Sequence, residues 1–283
     1  MTKPIVAIIA QGGMGAACAK RLTDNGVRVV TSLAGRSEAS AKRAATAGMV
    51  AVSDIEIAAA DFILSIVPPN EALPLAQRLA PALTAANKKP VYADCNAVSP
   101  DTVMEIAPVI EATAAPFVDA GIIGGPPRAG YNGPIFYYSG PDGTGIETLN
   151  DYGLIFRPVK GGVGAASALK MSYGGITKGL TAVGSAMILA ATRAGVAEAL
   201  HAELSASQPN LMTYFARSVP DMFGKAYRWV PEMQEIAHFA GDPATEEMYR
   251  AIAAHYERLA ADNEGDKAAI GALAAFFEKS PKK

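Results

Sequence analysis

The segment Ala10-Gln11-Gly12-Gly13-Met14-Gly15 separates an apolar run from a helical pattern. Glycines at such a place allow a tight bend, let the backbone approach a pyrophosphate and let a helix pack closely on a strand. The helix that follows turns its backbone N–H groups and positive dipole end toward phosphate. Gly12 and Gly15 hold the second and third positions of the dinucleotide pattern, with Ala10 where the first glycine would stand. Gly13 and Met14 complete the turn. The strand before and the helix after supply the context this motif requires. Farther on, a site for NAD would carry an acid for the ribose 2′-hydroxyl. Thr31-Ser32-Leu33-Ala34-Gly35 has none, and Arg36-Ser37 follows. A guanidinium grips a 2′-phosphate through paired hydrogen bonds, so NADP is expected rather than NAD. Glu38 is placed to serve the first turn of the next helix.

Lys170 is the candidate acid/base. Ala165, Ala166, Ala168, Leu169 and Met171 surround it in sequence, a setting that desolvates an ammonium and favours its neutral form. The competing reading is a stem packed on apolar surface with its head in water. Lys178 is its rival, about 80° around the same helix, and reads as structural or as a residue of the cleft rim. Gly124 and Gly125 can bring backbone N–H groups to a carboxylate, or simply turn the chain before Pro126-Pro127. Asn96, after a strand, suits either a ligand hydrogen bond or capping near Ser99-Pro100. Tyr173, Tyr227, Arg228 and Trp229 are possible pocket residues, although most aromatics in helices are core.

The elements that must position these groups alternate as a parallel α/β sheet requires. Strands are expected over 5–10, 27–33, 50–52, 62–67, 90–93, 117–123 and 135–139. Helices are expected over 14–25, 38–47 and 71–83, and Ser53 with Glu56 reads as a capping box. After about residue 160 strands vanish, and 165–204, 222–240, 244–262 and 267–278 read as helices. The small residues Gly175, Gly179, Ala182, Ala186 and Ala190 suit close helix packing, within the domain or between subunits. The expected architecture is an α/β Rossmann domain over 1–160 and an all-α domain over 161–283, with the boundary near 158–164.

Composition excludes several classes. The chain is 50% apolar with a net charge of −2, so it can build a large core and offers no basic balance for nucleic acid or anionic membrane. Lys279, Lys282 and Lys283 read as a solvated tail. Cys18 and Cys95 are too few for a disulfide framework, and His201, His238 and His255 lack ligand spacing, so no metal is expected. The N-terminal apolar run leads into a glycine turn and reads as a strand, not a signal peptide. The stretch 180–191 is too short to span a bilayer, which leaves a cytoplasmic protein with no membrane partner.

These motifs together resemble the β-hydroxyacid dehydrogenases, the group containing 3-hydroxyisobutyrate and 6-phosphogluconate dehydrogenases. The turn ending Met14-Gly15 is similar to the family's G-x-G-x-M-G, and Gly35-Arg36-Ser37 to the Asn-Arg-Ser/Thr segment of its NADP-using members. Val67-Pro68-Pro69 resembles the turn that borders the nicotinamide ribose. Asp119-Ala120-Gly121-Ile122-Ile123-Gly124-Gly125 resembles the substrate loop D-A-P-V-S-G-G, and Gly164 with Lys170 the region of the catalytic lysine. Ala226 to Met233 and Leu169 to Lys178 are similar to a branch with a distinct 6-phosphogluconate-dehydrogenase-like C-terminal domain. The resemblance implies hydride transfer between NADP and a small, anionic hydroxy acid or its aldehyde or keto acid. It also implies substrate contacts at Gly124, Gly125, Tyr173 and Gly174, and a homodimer. Three positions depart from the family. Its loop serine is Ile123, its asparagine after the lysine is Gly174, and its later lysine is replaced near Pro231-Glu232-Met233. These departures keep an imine reductase as the alternative enzyme and a non-catalytic NADP-binding sensor as the alternative of another class.

Overall fold

The computed structural model describes residues 3–9 and 11–278. Ala10 and the lysine tail therefore lie outside the described residues. The first part of the chain alternates β1 (Ile5–Ile9), α1 (Gly13–Asp24), β2 (Arg28–Thr31), α2 (Glu38–Thr46), β3 (Val50–Ala51), α3 (Asp54–Ala58), β4 (Phe62–Ser65), α4 (Pro69–Ala85), β5 (Val91–Asp94) and α5 (Pro100–Glu111). It continues with β6 (Phe117–Ile123), β7 (Ile135–Ser139), a short 3-10 helix (Ile146–Tyr152) and β8 (Ile155–Pro158). The strands form one sheet in the order β3-β2-β1-β4-β5-β6-β7-β8. Neighbours run parallel except β6 and β7, which are antiparallel with Asp119 opposite Ser139.

Strand periodicity sorts the core onto two faces. Val6 and Ile8 of β1 pack with Leu22 of α1 and Ala44 of α2, while Ala7 and Ile9 pack with Ile57, Leu79 and Ile106 of α3, α4 and α5. Chain direction across the sheet switches between β1 and β4, and open α/β sheets take ligands at the strand C-termini beside such a switch. The glycine turn follows β1 and the Val67 turn follows β4, so both border that crevice. The Ser53–Glu56 capping box forms as expected, with Ser53 Oγ accepting from Glu56 N and Glu56 reaching back to Ser53 N.

The chain divides into two compact units, Met1–Met171 and Ser172–Lys283. The division falls inside α6 (Ala165–Arg193), later than the 158–164 segment read from composition, because the sheet unit retains β8 and the start of α6. The second unit continues through α7 (Ala197–Ser207), α8 (Pro209–Met222), α9 (Ala226–Phe239), α10 (Pro243–Glu264) and α11 (Ala268–Glu278).

Three expectations need correction. The single helix over 165–204 is α6 and α7, broken where Gly195 takes a φ of +73°, a left-handed turn that ends a helix. The helix expected to begin at Met222 begins at Ala226, and Met222 closes α8 instead. β8 was not foreseen, since Ile155-Phe156-Arg157-Pro158 offers only a brief apolar pair. It forms because β7 presents a parallel edge to it. The apolar 180–191 stretch lies in a 29-residue helix long and apolar enough to cross a membrane by length and composition. Its inward face carries Thr181 and Ser185, both buried and hydrogen-bonded, as suits the core helix of a bundle.

Candidate functional site

Gly12 is the N-cap of α1, in extended conformation and with no side-chain cap, and the first turn of α1 holds no acid. A Cβ built on Gly12 or Gly13 would meet nothing within 4 Å. An uncapped, acid-free helix N-terminus under open space fits a dinucleotide pyrophosphate. Gly15 is buried, and Met14 packs on the sheet core. Arg36 is exposed, and Ser37 caps α2, its Oγ accepting from Ser40 N at 3.3 Å.

Two residues here escaped the sequence reading. The Gln11 carboxamide is 1% exposed and donates through Nε2 to Thr31 Oγ1 and to Ser32 O, at 3.0 Å, while its Oε1 has no partner. Arg43 of α2 donates from Nε to Gln11 O at 2.6 Å and from Nη2 to Ser40 Oγ at 2.9 Å. Both sit beside the turn rather than in its motif, so the glycine pattern gave no sign of them.

At the other side of the crevice, Asn96 is 3% exposed and its side chain is engaged on every side. Its Oδ1 accepts from Val67 N at 2.6 Å, and its Nδ2 donates to Ser65 Oγ at 2.9 Å and to Asp94 Oδ2 at 2.8 Å. Asn96 thus fixes the turn that leads to Pro68, the N-cap of α4. Capping of α5 falls to Ser99, whose Oγ accepts from Thr102 N, not to Asn96. Burial pushes the neighbouring Asp94 carboxyl up to about 7, opposed by two hydrogen bonds from Asn96 and helped by the Asp119 charge.

Asp119 organises the catalytic candidate. It is fully buried on β6, and its Oδ2 accepts from Gly164 N (2.9 Å), Ala166 N (3.1 Å), Ser167 N (3.0 Å) and Ser139 Oγ (3.1 Å). Its Oδ1 accepts from Ser167 Oγ at 2.6 Å. A carboxylate on the N–H groups of a helix start is the charge that the dipole and the orphan donors favour. So fastened, α6 runs against β6. A Cβ on Gly121 would lie 2.8 Å from Lys170 Cβ and 3.0 Å from Ala166 O, so glycine permits that approach. One turn further along α6, Lys170 Nζ donates to Ile122 O at 2.7 Å, which brings the ammonium to the strand end that leads into Gly124-Gly125.

Gly124 has a φ of +122°, and a Cβ there would lie 3.2 Å from Pro134 Cα. Gly125 is exposed, with nothing near an added Cβ. The loop beyond is tied to α1 by Arg21, whose Nη2 donates to Arg128 O (3.2 Å) and Tyr131 O (3.0 Å) and whose Nη1 donates to Gly153 O (3.3 Å).

Other candidates lie in the helical unit. Tyr173 is half exposed on α6, not core, and Gly174 is buried with Ile236 Cδ1 3.6 Å from an added Cβ. Lys178 makes an ion pair with Glu232 and sits 5.3 Å from the Trp229 ring centroid. Trp229 packs edge-on against Tyr256, while Arg228 lies over the exposed Tyr227 ring. Lys178 is thus held by structural contacts. The small-residue spacing on α6 also serves packing within the unit, since Gly175 and Gly179 face Tyr249, whose Oη would lie 2.9 and 3.5 Å from added Cβ atoms. Cys18 is buried and its thiol is pushed up to about 12, and Cys95 is buried and raised likewise, which disfavours the thiolate of each. No group of three or more metal-ligating side chains occurs among the described residues.

A doubly wound sheet with an uncapped glycine turn, followed by a helical unit, defines the class: dinucleotide-binding oxidoreductase folds. Residues 5–152 match the NAD binding domain of 6-phosphogluconate dehydrogenase, and residues 191–259 match a domain of unknown function (DUF1932). The chain belongs to the β-hydroxyacid dehydrogenase family, in the branch that joins these two domains. A 28.5 kDa protein encoded in the 7S RNA 5′ region of Methanothermus fervidus is 30% identical over 176 residues, 62% of this chain and 66% of that one, just under two thirds of its length. A solved conserved protein, described for its structural similarity with 3-hydroxyacid dehydrogenases, is 29% identical with a TM-score of 0.71, covering 95% of this chain and 99% of that one. At the level of fold, the 3-hydroxyisobutyrate dehydrogenase of Mycobacterium tuberculosis with L-serine has a TM-score of 0.68 at 18% identity, covering 99% of this chain and 100% of that one.

Proposed function

We propose that this protein is an NADP-dependent oxidoreductase that interconverts a small hydroxy acid and its aldehyde or keto acid, with Lys170 as general acid/base. The observation that carries the reading is the 2.7 Å bond from Lys170 Nζ to Ile122 O, two residues before Gly124. When bound, the dinucleotide supplies the hydride chemistry; this chain's residues do the rest. Backbone N–H groups of Gly13, Met14 and Gly15, above Gly12, would hold the pyrophosphate. Arg36 and Ser37 would hold the 2′-phosphate. Val67 and Pro68, braced by Asn96, would border the nicotinamide ribose. Gly124 and Gly125 would offer N–H groups to a substrate carboxylate, and Lys170 would give a proton to the substrate oxygen in reduction and take it back in oxidation. The L-serine held by the 3-hydroxyisobutyrate dehydrogenase neighbour is itself a small hydroxy acid. Two buried cysteines without a disulfide suit a reducing, cytoplasmic compartment.

The test is a panel of aldehyde and keto acids, with cyclic imines beside it, followed by NADPH or NADH consumption. The expected result is turnover on the acids, with kcat/KM for NADPH roughly tenfold or more above NADH. Turnover on imines alone would assign an imine reductase instead, and NADPH binding without turnover on either panel would assign a cofactor sensor.

The working form is proposed to be a homodimer through α6. Tyr173, Ile176, Leu180, Val183 and Met187 are exposed, Ile176 by 70%, and their spacing of three and four residues makes the seam of a two-helix pair. Ser172, Thr177 and Ala186 flank the seam, so no like charges at these positions oppose a second copy. Leu180→Glu with Val183→Glu is expected to turn a dimer into a monomer in sedimentation velocity at micromolar concentration. A monomeric wild type, or a doubly substituted dimer, would remove the proposal.

A further inference from the structure

We infer that Arg43, which no sequence motif marks, is a specificity-determining residue that grips the 2′-phosphate together with Arg36. The inference rests on the reading that the cofactor is NADP. Arg43 lies six residues after the N-cap Ser37, on the second turn of α2. Its guanidinium bridges the two elements that would flank an adenosine ribose. Nε is fixed on Gln11 O of the glycine turn at 2.6 Å, and Nη2 on Ser40 Oγ at 2.9 Å. Ser40 Oγ in turn lies 3.2 Å from Ser37 Oγ. A guanidinium carries five N–H donors in a fixed fork, and these two bonds use two of them. The fork is held in place before any ligand arrives, which spares a phosphate the cost of ordering it. No ion pair to an acid neutralises Arg43 among the described residues, and the cleft between α1 and α2 that it lines, about 540 Å³, also carries Lys42, while its other lysine, Lys20, is paired with Asp24.

The groups at the end of β2 support the same ligand. That is where an NAD site would place its acid. Here the position is occupied from the other side by the neutral Gln11 carboxamide, locked on Thr31 and Ser32 O. Its orientation is fixed, because Ser32 O can only accept and because Thr31 Oγ1 gives its proton to Ile8 O at 2.7 Å. The buried Gln11 Oε1 consequently faces away without a partner, a costly state for an acceptor unless a bound group supplies a donor. A phosphate dianion brings no proton for Gln11 Oε1; the braced Arg43 cation is what takes it, and a neutral carboxamide stands where a carboxylate would repel it.

The experiment titrates the full chain with NADP+, NAD+, 2′,5′-ADP and 5′-AMP by calorimetry, for wild type, Arg43→Gln, Arg43→Lys and Arg36→Gln. Arg43→Gln is expected to weaken NADP+ and 2′,5′-ADP about tenfold to a hundredfold while NAD+ and 5′-AMP stay within about twofold. Arg43→Lys should recover part of the loss, because the charge returns without the fork. If Arg43→Gln weakens NAD+ as much as NADP+, Arg43 only braces the turn and the inference falls. It falls also if neither affinity moves in a chain whose wild type prefers NADP+. A wild type that binds NAD+ as tightly as NADP+ would instead overturn the NADP reading itself.

Discussion

Replacing Asp119 by alanine is expected to remove about 4 kcal/mol of unfolding free energy, enough to leave a domain of ordinary stability largely unfolded near its melting point. The carboxylate is fully buried, and it accepts three backbone N–H groups and two hydroxyls. Alanine would strand the buried N–H groups of Gly164 and Ser167, at about 1–3 kcal/mol for each before relaxation, and would leave Ala166 N only its bond to Ser139 Oγ. Asparagine separates charge from shape. Its carbonyl can still accept the N–H groups and its amide can face Ser167 Oγ, so Asp119→Asn should cost less, about 1–2 kcal/mol, the difference between charged and neutral hydrogen bonds. Urea unfolding followed by far-UV circular dichroism measures both. An alanine variant within 1 kcal/mol of wild type would show that Asp119 does not fasten α6. A change in Asp94 should accompany the loss: burial chiefly raises its carboxyl, and Asp119 adds to the rise, so removing that charge should lower the Asp94 titration from about 7.

Asp119 also shows what the sequence could and could not convey. The β6 run and the glycines after it were legible from β-branched residues and turn chemistry, and strands over 117–123 and 135–139 form with those bounds. The role of Asp119 was not, because its partners lie about 45 residues away, at the start of α6. Local pattern carries no information about which carboxylate meets which helix end. The same limit hid Arg43 and the Gln11 side chain. Their bonds cross from α2 to the turn and from the turn to β2, whereas the glycine motif describes only backbone freedom.

The helical part was harder to read for a different reason. Its alanine-rich sequence keeps a helical pattern through breaks, so Gly195 did not stand out and α8 went unseen before α9. Charge makes Lys178 look like a rival acid/base and aromaticity makes Trp229 look like a pocket residue when each is read in isolation. Their contacts with Glu232 and Tyr256 exist only once α6, α9 and α10 pack. Asn96 follows β5, as its place after an apolar run implies, but its carboxamide serves the Val67 turn, a cross-strand bond that no spacing rule encodes.

Lys170→Met should lower turnover by about 10²–10⁴-fold, the usual contribution of a positioned acid/base, while the NADP+ dissociation constant stays within about twofold. Methionine keeps the apolar stem that packs along β6, and Asp119, not Lys170, fastens α6, so the melting temperature should stay near that of wild type. Lys170→Arg then distinguishes two roles. An arginine restores the positive charge beside Ile122 O and would rescue a lysine that merely attracts an anionic substrate. It cannot surrender its proton near neutral pH, so it should leave the proton-transfer defect in place, with KM recovered and kcat still low. Steady-state kinetics on the accepted substrate, with cofactor binding measured separately, resolve the cases. Full turnover in Lys170→Met would end the lysine mechanism, and full recovery in Lys170→Arg would reduce Lys170 to an electrostatic anchor beside the Gly124-Gly125 loop.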